Sequence, residues 1–172
     1  MKQLLPILLL LAVIIQFSSC EKDDICVEGD TPLLVIGFYD VTDTTFKSVP
    51  SLRIRAIDND QILSDNTSFG FTDRSNSPDS ITIPLRINAT DTTFEFISGS
   101  ADEDEVETGT IDTLSFNYLV QEAFVSRACG FVANFTELDT TRQVFTTDWI
   151  KGIILVESAV TNSNEIHVQI LH

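Results

Sequence analysis

Acid–base and nucleophilic chemistry has few candidates in this sequence. Histidine occurs only at His167 and His172. A hydrolase triad needs a nucleophile, a base and an orienting acid brought together, and neither histidine is accompanied by a GxSxG, an HExxH or a phosphate-cradling glycine loop, glycine numbering only seven. His167 falls opposite Ile166, Val168 and Ile170 in an alternating run, which predicts a solvated strand residue and not a base. The 26 acids would allow a glycosidase pair, but no spacing singles one out. Asp58-Asn59-Asp60 with Asp65, and Asp102-Glu103-Asp104-Glu105, cluster the hard oxygens that calcium takes. Asp58, Asp60, Asp102 and Asp104 are therefore weak calcium candidates without EF-hand spacing, beside the plainer reading of solvated loops. No catalytic residue and no cofactor is assigned.

The cysteines say more. Met1-Lys2-Gln3 followed by the apolar run Leu4 to Ile15 and the small pair Ser18-Ser19 has the three-part layout of an export signal. The run is too short for a permanent span, since crossing the hydrocarbon core takes roughly 20 residues. Residues 1–19 are expected to be removed. Phe17-Ser18-Ser19-Cys20 resembles the bacterial lipobox, with Phe17 where Leu is usual. That resemblance implies that Cys20 is acylated and becomes the new N-terminus, with more than one acyl chain to hold it on a membrane. The alternative is an ordinary signal in which Cys20 is incidental. Glu21-Lys22-Asp23-Asp24 resembles the tag that sends lipoproteins of the Bacteroidetes to the outer face of the outer membrane, the alternatives being a plain charged tether and the periplasmic face.

Cys26 and Cys129 then remain as an even pair in an oxidising compartment. They are expected to be bridged, fastening the start of the domain to a central strand, with two buried free thiols or a reactive thiol as the rival readings. Without CxxC or a nearby histidine, thiol chemistry has little support.

The net charge of −16 becomes −17 without Lys2. Such a surface repels phosphate backbones, so nucleic acid is excluded as a partner. The 153 residues after the leader suit one domain, divided here into a tether over 20–32 and a folded unit over 33–172.

Within that unit the apolar period is two. Leu33 to Tyr39 is a near-continuous apolar run, predicted to be buried on both faces. Leu52 to Ile57, Ile81 to Ile87 and Phe94-Glu95-Phe96 alternate as half-buried strands, and Pro84 places its strand at an edge. Leu114, Phe116, Tyr118 and Val120 share one face of a strand; Cys129, Phe131, Ala133 and Phe135 share one face of the next. Ile153 to Val156 and Ile166 to Ile170 close the series. Only Val144 to Lys151 hints at a helical turn. The fold class is all-β: an immunoglobulin-like or transthyretin-like β-sandwich of about eight strands, with a barrel as the lesser choice.

Asp43-Thr44-Thr45, Asp91-Thr92-Thr93 and Asp139-Thr140-Thr141 recur 48 residues apart, which suggests either a threefold repeat or ordinary turn chemistry. With Asp79-Ser80-Ile81 and Asp112-Thr113-Leu114 they also look like the acceptor pattern for O-glycosylation in exported Bacteroidetes proteins. Thr44, Ser80, Thr92, Thr113 and Thr140 would carry the glycans.

With Tyr118 and the stretch Phe124-Val125-Ser126-Arg127-Ala128-Cys129-Gly130-Phe131, the layout resembles an uncharacterised family of Bacteroidetes lipoproteins. The resemblance implies a place beside outer-membrane machinery and brings no activity. The expected function is a non-enzymatic, membrane-anchored accessory module that docks on an outer-membrane barrel or another envelope protein. The alternative is a glycan-binding or glycan-processing surface protein, which would gather exposed rings such as Trp149, Tyr39 and Tyr118 in one groove.

Overall fold

Leu34–Tyr39 forms strand β1, and all six of its residues are buried in the computed structural model of the chain. A strand covered on both faces needs no polar alternation, which is why this run reads as unbroken. The structure describes residues 26, 29–57, 78–103, 106–143 and 148–172. The expected leader and Cys20 lie outside them.

Among the described residues nine further strands follow: β2 (Arg53–Ala56), β3 (Ser80–Ile83), β4 (Asp91–Ser98), β5 (Asp102–Glu103), β6 (Val106–Glu107), β7 (Thr110–Ser126), β8 (Gly130–Gln143), β9 (Gly152–Leu155) and β10 (Val168–Leu171). One sheet has the order β3-β1-β10-β9 and a second β2-β4-β7-β8, while β5 and β6 pair as a small separate hairpin. The described residues contain no helix, and Asp148 to Lys151, the described part of the expected helical turn, is irregular.

β1 lies between β10, to which it runs parallel with Ile36 opposite Val168, and antiparallel β3. β3 is indeed an edge, and it ends at Ile83 because Pro84 has no N–H to continue the ladder. The two sheets face each other across one core. Leu34, Ile36, Phe38, Ile83, Val168 and Ile170 come from the first sheet. Phe94, Phe96, Leu114, Phe116, Tyr118 and Phe135 come from the second. The result is a β-sandwich, with Phe46 stacked on Tyr39 over the far side of β1 at a centroid distance of 4.6 Å.

The Asp-Thr-Thr recurrence does not mark a structural repeat. Asp43 sits in a turn, Asp91 opens β4, and Asp139 lies within β8 just after Glu137, whose φ of 54° breaks the strand register. Three different local conformations make it turn and strand-start chemistry instead.

Candidate interaction surface

β7 and β8, at 17 and 14 residues, are far longer than the strands of the opposite sheet. Their inner faces pair Val120 with Phe135, Glu122 with Ala133 and Phe124 with Phe131. Near the body this stripe is core, with Tyr118 set edge-on to Phe135 at 5.1 Å. At the far end no described strand of the other sheet pairs over it. Phe124 and Phe131 meet edge-on at 5.3 Å yet stay 60% and 66% exposed. Phe131 thus keeps the face its alternation predicts, but not the burial.

The expected bridge between Cys26 and Cys129 is present. Cys129 lies in the turn between β7 and β8 and not in a central strand, so the bridge ties the tether to the tip of this arm. The Cys129 N–H donates to Ser126 Oγ at 3.0 Å, and Gly130 turns the chain at a φ of 72°. Gly29 runs against the bridge at a φ of 133°, where a Cβ would meet Cys129 Cβ at 3.1 Å.

Two other apolar areas are open. Ile87 and Leu119 border a shallow groove of about 470 Å³ along the outer side of β7. Ile154 and Leu155 on β9 and Val156 just after it are exposed, and among the described residues β9 pairs only with β10 at the edge of its sheet.

Both histidines serve the backbone. His167 is 1% exposed, not solvated as its alternation predicts. Its Nδ1 accepts the Val35 N–H at 3.1 Å, while the His167 backbone N–H donates to the Val35 carbonyl at 3.0 Å. It sits one residue before β10, where the chain turns the ring inward to complete the β1 ladder. Burial pushes its pKa below the usual value, against the pull of Glu157 and Glu165. His172 Nε2 lies 3.1 Å from the Lys47 carbonyl, and Lys47 Nζ reaches Asp40 at 2.7 Å. The Lys47 ammonium and the Thr42 hydroxyl and N–H hold the Asp40 carboxyl well below the carboxylate range.

The other buried charges are also structural. Asp112, fully buried in β7, accepts the Trp149 and Ile150 N–H groups on Oδ2 at 2.9 and 2.8 Å. Its Oδ1 faces Arg142 Nε at 3.5 Å, and Arg142 also pairs with Asp148. Nothing in the spacing of these residues announces the cluster, because three separate segments supply it. Trp149 gives its indole N–H to the Phe96 carbonyl at 3.0 Å and packs on Phe38. Glu107 accepts from Arg53 at 2.9 Å and Ser100 at 2.8 Å. Burial pushes its carboxyl up, but the Arg53, Gly109 and Ser100 donors win and bring it down to about 2. Tyr118 is buried, and its hydroxyl donates to the Arg86 carbonyl at 2.9 Å and contacts Thr92 Oγ1 at 2.5 Å. Burial raises its pKa. Tyr39, Tyr118 and Trp149 therefore work within the fold and form no exposed platform.

Of the five glycosylation candidates, Thr92 and Thr113 are buried in the folded domain, which removes them as exposed acceptors. Thr44 and Ser80 are exposed and Thr140 is half-buried. Asp102 faces the Arg53 guanidinium at 3.6 Å, and among the described residues no three His, Cys, Asp or Glu side chains gather as a metal site. Asp58, Asp60 and Asp104 lie outside the described residues.

No curated protein and no solved structure matches the chain. One family model does, over residues 51–172, more than two thirds of the length. The match begins upstream of β2 and so omits β1, although β1 holds the centre of the first sheet. The chain belongs to a family of unknown function, DUF6452.

Proposed function

We propose that this protein is a Bacteroidetes-type lipoprotein, acylated at Cys20 and held at the outer membrane, cell-surface side, as a non-enzymatic docking module for a barrel or another envelope protein. The leader and the Phe17-Ser18-Ser19-Cys20 motif support the anchor. The observation that carries the docking role is the β9 edge. Ile154 and Leu155 on β9, with Val156 just after it, are exposed at a sheet edge that no other described strand pairs, on an otherwise strongly acidic molecule. An edge with unpaired backbone groups and apolar side chains accepts a strand from a partner. Exposed apolar surface of this kind marks interaction sites.

The test joins alkyne-fatty-acid labelling to site-specific photo-crosslinking. The native chain takes up label and Cys20→Ser does not, while a photo-reactive residue at Leu155 captures one reproducible envelope protein in living cells. Absence of Cys20-dependent label defeats the anchor; absence of a reproducible cross-link defeats the docking edge.

A further inference from the structure

The inner stripe of the β7–β8 arm runs past the end of the sandwich and finishes in two open rings, Phe124 and Phe131. We infer that this tip rests on the lipid bilayer, with both rings in the boundary between headgroups and acyl chains. The inference deepens the proposed function, because it rests on the acyl anchor at Cys20. Three observations carry it.

The first is covalent. The bridge from Cys26 to Cys129 ties the tip to the tether. Five residues lie between Cys20 and Cys26, so six Cα-to-Cα steps give a reach of about 20 Å at full extension. An acyl chain at Cys20 thus keeps the tip within a short distance of the membrane. Held at that effective concentration, two rings are enough for a lasting contact that they would not achieve from solution.

The second is charge. In a chain of net charge −16, residues 123–133 contain no Asp or Glu and carry Arg127, which is exposed in the turn. The turn that carries the rings therefore adds no negative charge for an anionic bilayer to repel, and the nearest acid on the same face is Glu122. The third is shape. The rings are paired edge-on at the end of a two-stranded arm, not scattered singly, and lie on the face opposite Leu119 and Gln121. An outer-membrane barrel or a second copy of the chain is the competing occupant.

The experiment uses the full lipoprotein reconstituted in vesicles, with Phe131→Trp, and separately Phe124→Trp, as reporters. Trp149, half-buried in the body, gives the wild-type baseline. Intact mass confirms the acyl chains and the bridge. Lipids brominated near the headgroup end of the acyl chain should quench the added emission by about half and leave the baseline unchanged. Protein that floats with the vesicles while neither reporter is quenched overturns the inference and leaves the anchor standing. Emission shifted to the blue without quenching places the tip against protein and overturns it as well. A chain that does not float defeats the anchor and this inference together.

Discussion

Replacing Asp112 by alanine tests whether the buried charge cluster holds the two sheets together. The carboxylate is fully buried and satisfies two backbone N–H groups at the approach to β9, while Arg142 faces its other oxygen. Alanine strands the Trp149 and Ile150 N–H groups and leaves Arg142 with Asp148 alone. Breaking a buried pair by removing one partner costs ~3–5 kcal/mol. Against a total stability of ~5–15 kcal/mol for an ordinary domain, that is a large share. In a chain of this size it corresponds to a fall in melting temperature of roughly 10 °C. Urea unfolding with the disulfide intact should show a lower midpoint at an unchanged slope, the signature of lost stability and not of altered compactness. Arg142→Met in the Asp112→Ala background removes the cation that has lost one of its two carboxylates, so the double variant should be more stable than the two single losses predict by at least ~1 kcal/mol. A single loss below ~1 kcal/mol, or strict additivity of the pair, would refute the reasoning.

Reduction of the bridge, or Cys26→Ser with Cys129→Ser, should cost up to ~4–5 kcal/mol in the chain-entropy model, read as the difference in urea midpoint; no change would mean that the tether is not constrained. The buried His167 stays neutral while its unfolded counterpart binds a proton. Stability is therefore full above the ordinary pKa of 6.5 and falls as pH drops below it, and melting curves between pH 7.5 and 5.5, about one unit to either side of that value, should show this fall in the native chain and lose it in His167→Gln. Glu107 has the carboxylate sign: its contribution is present above 4.5 and is lost as pH falls toward about 2. Glu107→Gln should flatten that part of the acid unfolding curve, while a curve identical to the native one would break the assignment.

The legible parts of the fold were those governed by local periodicity. Leu33 to Tyr39 reads as a doubly buried strand because side chains on both sides lack polar groups, and β1 is that strand. Pro84 announces an edge because a missing N–H is a property of the residue itself, wherever the chain goes. The parity of Cys26 and Cys129 suggests a bridge, but the turn that hosts Cys129 depends on where the β7–β8 hairpin closes.

His167 and Phe131 depart from the burial their alternation predicts for opposite reasons. Alternation assigns each side chain to a face of its strand, and it carries no information on what covers that face. His167 is outward by count, yet it is enclosed and bonded to Val35 across 132 residues of sequence. Phe131 is inward by count, yet the opposite sheet stops short of it and leaves it open. The Asp112 cluster was hidden for the same reason, since its donors come from Trp149, Ile150 and Arg142, and only folding brings them together.

By itself the sequence determined the strand character, the acidity and the cysteine set, because these follow from residue types and near neighbours. The tertiary structure alone decided which apolar stripe became core and which became surface. It also decided which charge was buried and where the bridge attached, because burial and pairing depend on contacts between segments far apart in the chain.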